Sequence, residues 1–287
     1  MTSPRRAFGG NRRLGAGRPR DGVQPALFRP LSQDLWLGSP TIPNESAPPW
    51  PTVLLGSATY WADVAGDGNT NATFSKPVGA QAGDYWVVFL EADGSAADIT
   101  ASTYTAPTGW VQAGTKLVSS VDGAGALCYY KLLDGSEGST ATFNSTSVNS
   151  GMIGVSFLVR NAGSVTATTE LVNTASTPIV VGPSITTTEN NSTIVWIGAT
   201  DFGAFGTPTW REPTGYDALT TYVDTVGAWW SSIAVAWRAA PTPTTDTAKG
   251  SATMGATTGG GFGFKLAFAP YVAPVASDDF RVLFVCM

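Results

Sequence analysis

The chain has no histidine. That removes Ser-His-Asp and Cys-His catalysis and every metal site that needs imidazole. Carboxylates are left for acid–base work. Glu91 and Asp93 share one strand face at a spacing of two, and Asp201 stands at the matching end of a second, similar segment. Such groups could hydrolyse a glycosidic bond if their environments set their acidities apart. All three border turn signals, Asp93-Gly94 and Phe202-Gly203, and read as solvated strand-end charges. No GxSxG, HExxH, phosphate-binding or dinucleotide-binding glycine motif occurs in a fitting context. For a cation, Asp67, Asn69 and Asn71 have the alternating oxygens of a calcium loop, but the closing glutamate is missing. Asp, Gly and Asn are also what any tight loop uses, so these residues read first as a plain loop. The expectation is a protein without catalytic residues, metal or cofactor.

Binding chemistry is better represented. Trp61, Trp110 and Trp210 are the aromatics left open to stacking on a sugar face, whereas Trp86, Trp196 and Trp237 alternate within strand patterns and read as core. Residues 1–30 hold seven arginines, among them Arg5, Arg6, Arg12 and Arg13, against one acid, Asp21. That segment is +6 and the remaining chain is −11, within a net charge of −5. A basic arm on an acidic body points to docking on an acidic protein surface or on phosphate. No aromatic platform lies among the arginines and the body is acidic, so protein docking is favoured over nucleic acid. Apolar pegs follow the charge at Phe28, Leu35 and Trp36, suited to a groove on a neighbour.

The elements that must position these groups are short strands. Residues 1–52 are broken by Gly and Pro and read as an extended arm without a core of its own. The body, residues 53–270, carries the same order of signals twice, in halves of about 53–162 and 163–270. Each half has an apolar run (Tyr85–Leu90; Thr193–Gly198). A Pro-x-Gly-aromatic turn follows (Pro107–Trp110; Pro213–Tyr216), and then a strand ending in a cation (Lys131; Arg238). Trp86 and Trp196 are expected at equivalent positions, as are Val155 and Phe264. Strands are expected near 53–60, 84–91, 110–119, 125–132, 139–144, 152–160, 177–182, 193–200, 217–224, 230–238, 250–254 and 261–268, and the two halves are expected to form one body rather than two domains joined by an exposed linker near 163–176. The continuous apolar runs at 84–91 and 193–200 should be covered on both faces, and the small, polar strands 139–144 and 250–254 should lie at edges. Many short strands without an amphipathic helix indicate an all-β, antiparallel sandwich or jelly roll with an internal pseudo-repeat. The tail, 271–287, ends in an apolar run, Phe280–Val285, that could add a strand. Cys128 reads as a buried small hydrophobe and Cys286 stands next to the terminus. The N-terminal residues lack a signal-peptide core, and no apolar run is long enough to span a membrane. Charged residues are 13% of the chain, against about 25% in ordinary globular proteins, and a surface so poor in charge suits association with other chains, copies of itself included.

The order Gly83-Asp84 plus apolar strand, then Pro107-Thr108-Gly109-Trp110, then Tyr129-Tyr130-Lys131 before a Gly- and Ser-rich strand, resembles β-sandwich modules of tailed-bacteriophage virion proteins. The resemblance covers roughly residues 53–270. In the second half Tyr216 and Trp237-Arg238 stand in place of Trp110 and Tyr130-Lys131. It implies a virion component of jelly-roll type that partners other capsid or tail subunits: a capsid decoration protein or head fibre, or alternatively a tail-fibre or baseplate module gripping a host receptor or surface glycan. It implies no catalytic residues, and the arm lies outside it.

Overall fold

The computed structural model of the protein describes residues 50–62, 71–93, 100, 104–120, 123–146, 151–172, 178–201, 207–223, 231–254 and 260–272. The fold is all-β and antiparallel. The first half contains β1 (Thr52–Ala62), β2 (Asn71–Ser75), β3 (Tyr85–Asp93), β4 (Tyr104–Thr105), β5 (Val111–Gln112), β6 (Leu117–Val118), β7 (Gly125–Leu132), β8 (Thr140–Ser145) and β9 (Gly151–Arg160). The second contains β10 (Ala162–Val172), β11 (Ile179–Val181), β12 (Ile185–Thr186), β13 (Ser192–Asp201), β14 (Thr209–Arg211), β15 (Asp217–Val223), β16 (Ser231–Ala240), β17 (Thr245–Asp246), β18 (Gly250–Thr253) and β19 (Gly261–Pro270).

The two halves repeat one strand order. The first large sheet runs β1-β9-β3-β7-β5, with β6 also on β7, and its small partner runs β2-β8-β4. The second large sheet runs β10-β19-β13-β16-β15, and its small partner runs β11-β18-β14. The large and small sheets of the two halves correspond in strand order, while β6 and a two-stranded sheet of β12 and β17 have no counterpart in the other half. Register fixes the equivalences. Lys131 lies opposite Trp86 and Arg238 opposite Ile194. Leu90 lies opposite Gly154 and Gly198 opposite Gly263. Val155 and Phe264 are therefore equivalent, as expected. Trp86 corresponds instead to Ile194, and Trp196 falls on the position of Val88, one side-chain repeat further along the same face.

Alternation along the strands divides the interior into three layers of side chains. Val87, Phe89, Val155 and Phe157 of the first large sheet share one core with Val195, Ile197, Val235 and Phe264 of the second. The opposite face of the first large sheet buries Trp86, Val88 and Leu158 against Phe74 and Phe143 of the small sheet. The opposite face of the second buries Ile194 and Trp196 against Val181, Trp210 and Ala252. Four of the five sheets thus stack in sequence, with the large pair in the middle. This explains the unbroken apolar runs: β3 and β13 are central strands with both faces covered, and every residue of β13 is buried.

The structure corrects the strand reading in several places: β2 and β14 lie outside the expected strands, and 110–119 holds two strands of two residues each, β5 and β6. Between the strands expected at 152–160 and 177–182, residues 162–172 form an eleven-residue strand paired along its length with β19. Its Thr-rich run, with one side partly in water, lacks the apolar density that marks an inner strand. Strands β8 and β18 are central in their small sheets rather than edges. Their small-polar alternation reflects an exposed sheet face, with buried and exposed residues taking turns.

Candidate functional site

Both ends of the described chain meet the body at one place. Thr52, the first residue of β1, pairs with Arg160, the last of β9. One residue earlier, the Pro51 carbonyl accepts a hydrogen bond from Thr193 Oγ1 at 2.7 Å, tying the incoming chain to the second half. After β19, the Tyr271 N–H donates to the Asn161 carbonyl at 2.8 Å. Asn161 makes the corner between β9 and β10 at φ 60°, a left-handed conformation that asparagine tolerates better than most residues.

An ion pair is set into this end. Arg160 donates from Nε to Asp84 Oδ1 and from Nη2 to Asp84 Oδ2, both at 2.8 Å, a two-pronged contact that fixes both planes. Asp84 is buried and also accepts the Gln81 N–H at 2.9 Å, while Arg160 Nη2 reaches the Gly79 carbonyl at 2.8 Å. These bonds to Asp84 hold the guanidinium more firmly charged than usual. Above the pair opens a cleft of about 390 Å³, lined by residues 81–84, Arg160, Asn161 and the half-exposed Tyr271.

A second charged cluster lies inside the second half. Lys265 is wholly buried in β19 and donates from Nζ to Asp246 Oδ1 at 2.6 Å and to the Ala248 carbonyl at 2.7 Å. Asp246 Oδ2 accepts from Arg238 at 3.1 Å. Burial pushes the Lys265 ammonium below its ordinary range and Asp246 pulls it back. Beside them, burial and then the Asp246 carboxylate push the Tyr216 phenol up. The ammonium is matched by its acceptors, so the cluster is a buried structural tie between β19, β17 and β16.

The repeated turn explains why a cation ends β7 and β16. Gly109 and Gly215 adopt φ of 84° and 82°, which the third position of a type II turn requires. Trp110 N–H returns to the Pro107 carbonyl and Tyr216 N–H to the Pro213 carbonyl. A β-carbon on either glycine would touch the side chain of Lys131 or Arg238, so each long cation lies against its turn.

The expected binding residues divide sharply. Arg5, Arg6, Arg12, Arg13, Phe28, Leu35 and Trp36, with Asp67, Asn69 and Cys286, lie outside the described residues. Asn71 opens β2 opposite Asn144. Trp61 pairs through its backbone with Gly154, and its side chain is outside the description. Trp110 is no open sugar platform: its ring is packed edge-on against Trp86 and Phe143, with centroids 5.0 Å from each. Trp210 is buried, meets Trp196 edge-on at 5.8 Å and donates Nε1 to Ser232 Oγ at 2.8 Å. Glu91 and Asp201 are buried rather than solvated: the sheet pairings continue past Glu91, and Asp201 closes β13 opposite Ser231. Cys128 is buried and its thiol is pushed far up by desolvation, which makes it unreactive. Among the described residues no three His, Cys, Asp or Glu side chains group closely enough to hold a metal ion, and no helix is long and apolar enough to cross a membrane.

Sequence reasoning missed the Asp84–Arg160 pair, since its partners are 76 residues apart. The available signal was Arg160 itself, a charge closing an otherwise apolar strand. Lys265 gave the same signal within Phe262–Phe268. Comparisons with protein-family models, with curated proteins and with solved structures find no match to this chain.

Proposed function

We propose that the protein is a non-enzymatic structural component of a bacteriophage virion, of the capsid-decoration or head-fibre kind, held on the particle by the segment that precedes β1. The observation that carries this reading is the meeting of Thr52 and Tyr271, near the two ends of the described body, at Arg160–Asn161. Terminal segments that leave from one end can grip a support while the rest of the body stands clear of it. The strand order supports the same reading. In each half the first, last, third and sixth main strands lie side by side with the fifth at the edge, and the second, seventh and fourth form the facing sheet, an interleaving compatible with a jelly roll. Two halves that share one buried core make a stiff unit, and the strong positive charge of residues 1–30 supplies a grip on an acidic lattice. The test is co-sedimentation of the purified full-length protein with undecorated particles, together with imaging of labelled protein on them. Binding in a regular, saturable array is the expected result. Failure to bind any particle surface overturns the reading.

A further inference from the structure

The cleft above the Asp84–Arg160 pair is lined by polar groups that the protein leaves unused. Arg160 spends Nε and Nη2 on Asp84 and on the Gly79 carbonyl, and its Nη1 group meets no acceptor among the described residues. Asn161 gives its backbone carbonyl to the Tyr271 N–H. The side-chain amides of Asn161 and Gln81 and the hydroxyl of Tyr271 make no hydrogen bond among the described residues. All four residues line the same concavity of about 390 Å³, a size that suits a small molecule. Their chemistry is mixed: the guanidinium only donates, whereas the amides and the phenol both donate and accept.

We propose that this cleft binds a neutral polyhydroxylated ligand, a sugar residue of a neutral glycan. Charge excludes the ionic classes. Asp84 takes up the guanidinium charge in a two-pronged pair, so an anion finds no net positive charge there. Exposed Asp134 stands beside the cleft and would repel an anion, since it follows Leu133, whose N–H bonds to the Asp84 carbonyl. A cation finds both Asp84 oxygens already taken, by Arg160 and by the Gln81 N–H, with a guanidinium alongside. Hydroxyl groups, by contrast, each donate and accept, which matches the unspent set. The half-exposed Tyr271 adds an aromatic ring at the wall, with an apolar face for the C–H side of a pyranose and a polar tip for its hydroxyls. The frame is set before binding. Arg160 is held by three bonds, Asn161 forms a fixed left-handed corner, and Tyr271 is tied to that corner through its N–H, which lowers the entropy lost on association. This ligand function is separate from attachment to a particle and does not rest on it.

A glycan array probed with the full-length protein tests the proposal. It carries neutral hexose- and N-acetylhexosamine-terminated oligosaccharides beside sialylated and uronic-acid ones. Neutral glycans should be retained and acidic ones should not. Calorimetric titration with the best-retained neutral oligosaccharide then reads the variants. Tyr271→Ala should weaken binding by about tenfold or more. Gln81→Ala and Asn161→Gly should each weaken it by about fivefold. Glycine at 161 keeps the left-handed corner while removing the amide. Gln81 and Tyr271 are exposed, so melting temperatures should stay close to wild type. Val180→Thr, at an exposed residue of β11 outside the cleft, should bind as wild type does. Retention of no neutral glycan, preference for acidic ones, wild-type binding by all three cleft variants, or equal weakening by Val180→Thr overturns the proposal. Tyr271→Ala should still co-sediment with particles, and alanine at Arg5, Arg6, Arg12 and Arg13 should still bind the glycan, so the failure of one reading is distinguishable from failure of the other.

Discussion

Phe89 of β3 and Phe264 of β19 meet edge to face across the two large sheets, with ring centroids 5.2 Å apart and planes 76° from parallel. Phe89 lies opposite Val155, the counterpart of Phe264, so the contact joins the two halves at matching levels. Tyr85 extends the same seam to Phe268, with centroids 5.9 Å apart. Because the rings come from different halves, removing one should loosen the body as a whole. Phe264→Ala should cost about 3–5 kcal/mol. Chemical denaturation should still show a single transition, shifted to lower denaturant. Two separate transitions in the wild type would mean that the halves unfold independently.

Gly109 and Gly215 provide a matched pair of measurements. Each has a left-handed φ and space for a β-carbon at ordinary contact distance. Alanine at either site should therefore cost only the backbone strain, about 1–2 kcal/mol. Near-equal losses for the two variants are expected. A much larger loss at one of them would show that its turn differs from its counterpart. Gly250 contrasts with both: a β-carbon there would run into the Trp196 indole, so Gly250→Ala should destabilise more than either turn variant.

The buried cluster predicts an asymmetry. Asp246→Ala leaves the wholly buried Lys265 ammonium without its counter-charge and should cost about 3–5 kcal/mol. Lys265→Met removes the charge that is costly to bury and leaves Asp246 with Arg238 and with the Ala248 N–H, which donates at 2.9 Å. That variant should be distinctly milder. Thermal unfolding of the two proteins decides the order, and equal losses would show that Lys265 is not charged in the folded state.

The large elements were legible because burial on both faces writes a continuous apolar run, as in Tyr85–Leu90 and Thr193–Gly198. The duplication was legible through its turns, where only glycine serves at Gly109 and Gly215. Short strands such as β4 and β17, two residues each, hold too few side chains to carry a period. Strand β10 was hidden for another reason: at the edge of its sheet it needs only a few apolar residues, and threonine fills the rest. The aromatic sites were misread because size and position near a turn suit a core plug as well as a sugar platform. Nothing in the spacing shows that Trp110 faces Trp86 and Phe143, or that Gly198 and Gly250 clear room for Trp196. The cleft depends on residues at the ends of three separate segments, and only folding brings Gln81, Arg160 and Tyr271 together.

The tyrosines predict how the protein fails in alkali. Burial raises Tyr85, Tyr130, Tyr216 and Tyr222, and takes Tyr129 up to about 12. A folded-state value above the unfolded value means that this stabilisation is whole below about pH 10 and is lost as pH rises through the folded values. Lys116 and Lys265 are lowered by burial and work in the opposite sense over the range just below their unfolded values. With five phenols against two lysines, stability should fall above about pH 10. The tyrosinate absorbance of these five of the eight tyrosines should appear together with loss of the folded circular dichroism. A gradual rise centred near the free-tyrosine value in a protein that stays folded would contradict it.

The last prediction concerns residues 1–49, on which the proposed attachment depends. The described body closes its own cores from Val53 onward. Deleting residues 1–49 should therefore leave a soluble protein that unfolds cooperatively, with a melting temperature close to that of the full chain. The same deletion should abolish co-sedimentation with particles. The basic residues and the apolar pegs should separate kinetically. Replacing Arg5, Arg6, Arg12 and Arg13 should slow association, most strongly at low salt, because long-range attraction to an acidic surface is screened within about 8 Å at physiological ionic strength. Replacing Phe28, Leu35 and Trp36 by alanine should speed dissociation and leave the salt dependence unchanged, as loss of pocket-filling contacts does. Surface plasmon resonance on immobilised particles reads both rates. A truncated body that still decorates particles at full occupancy would place attachment on the sheets and end the anchoring mechanism.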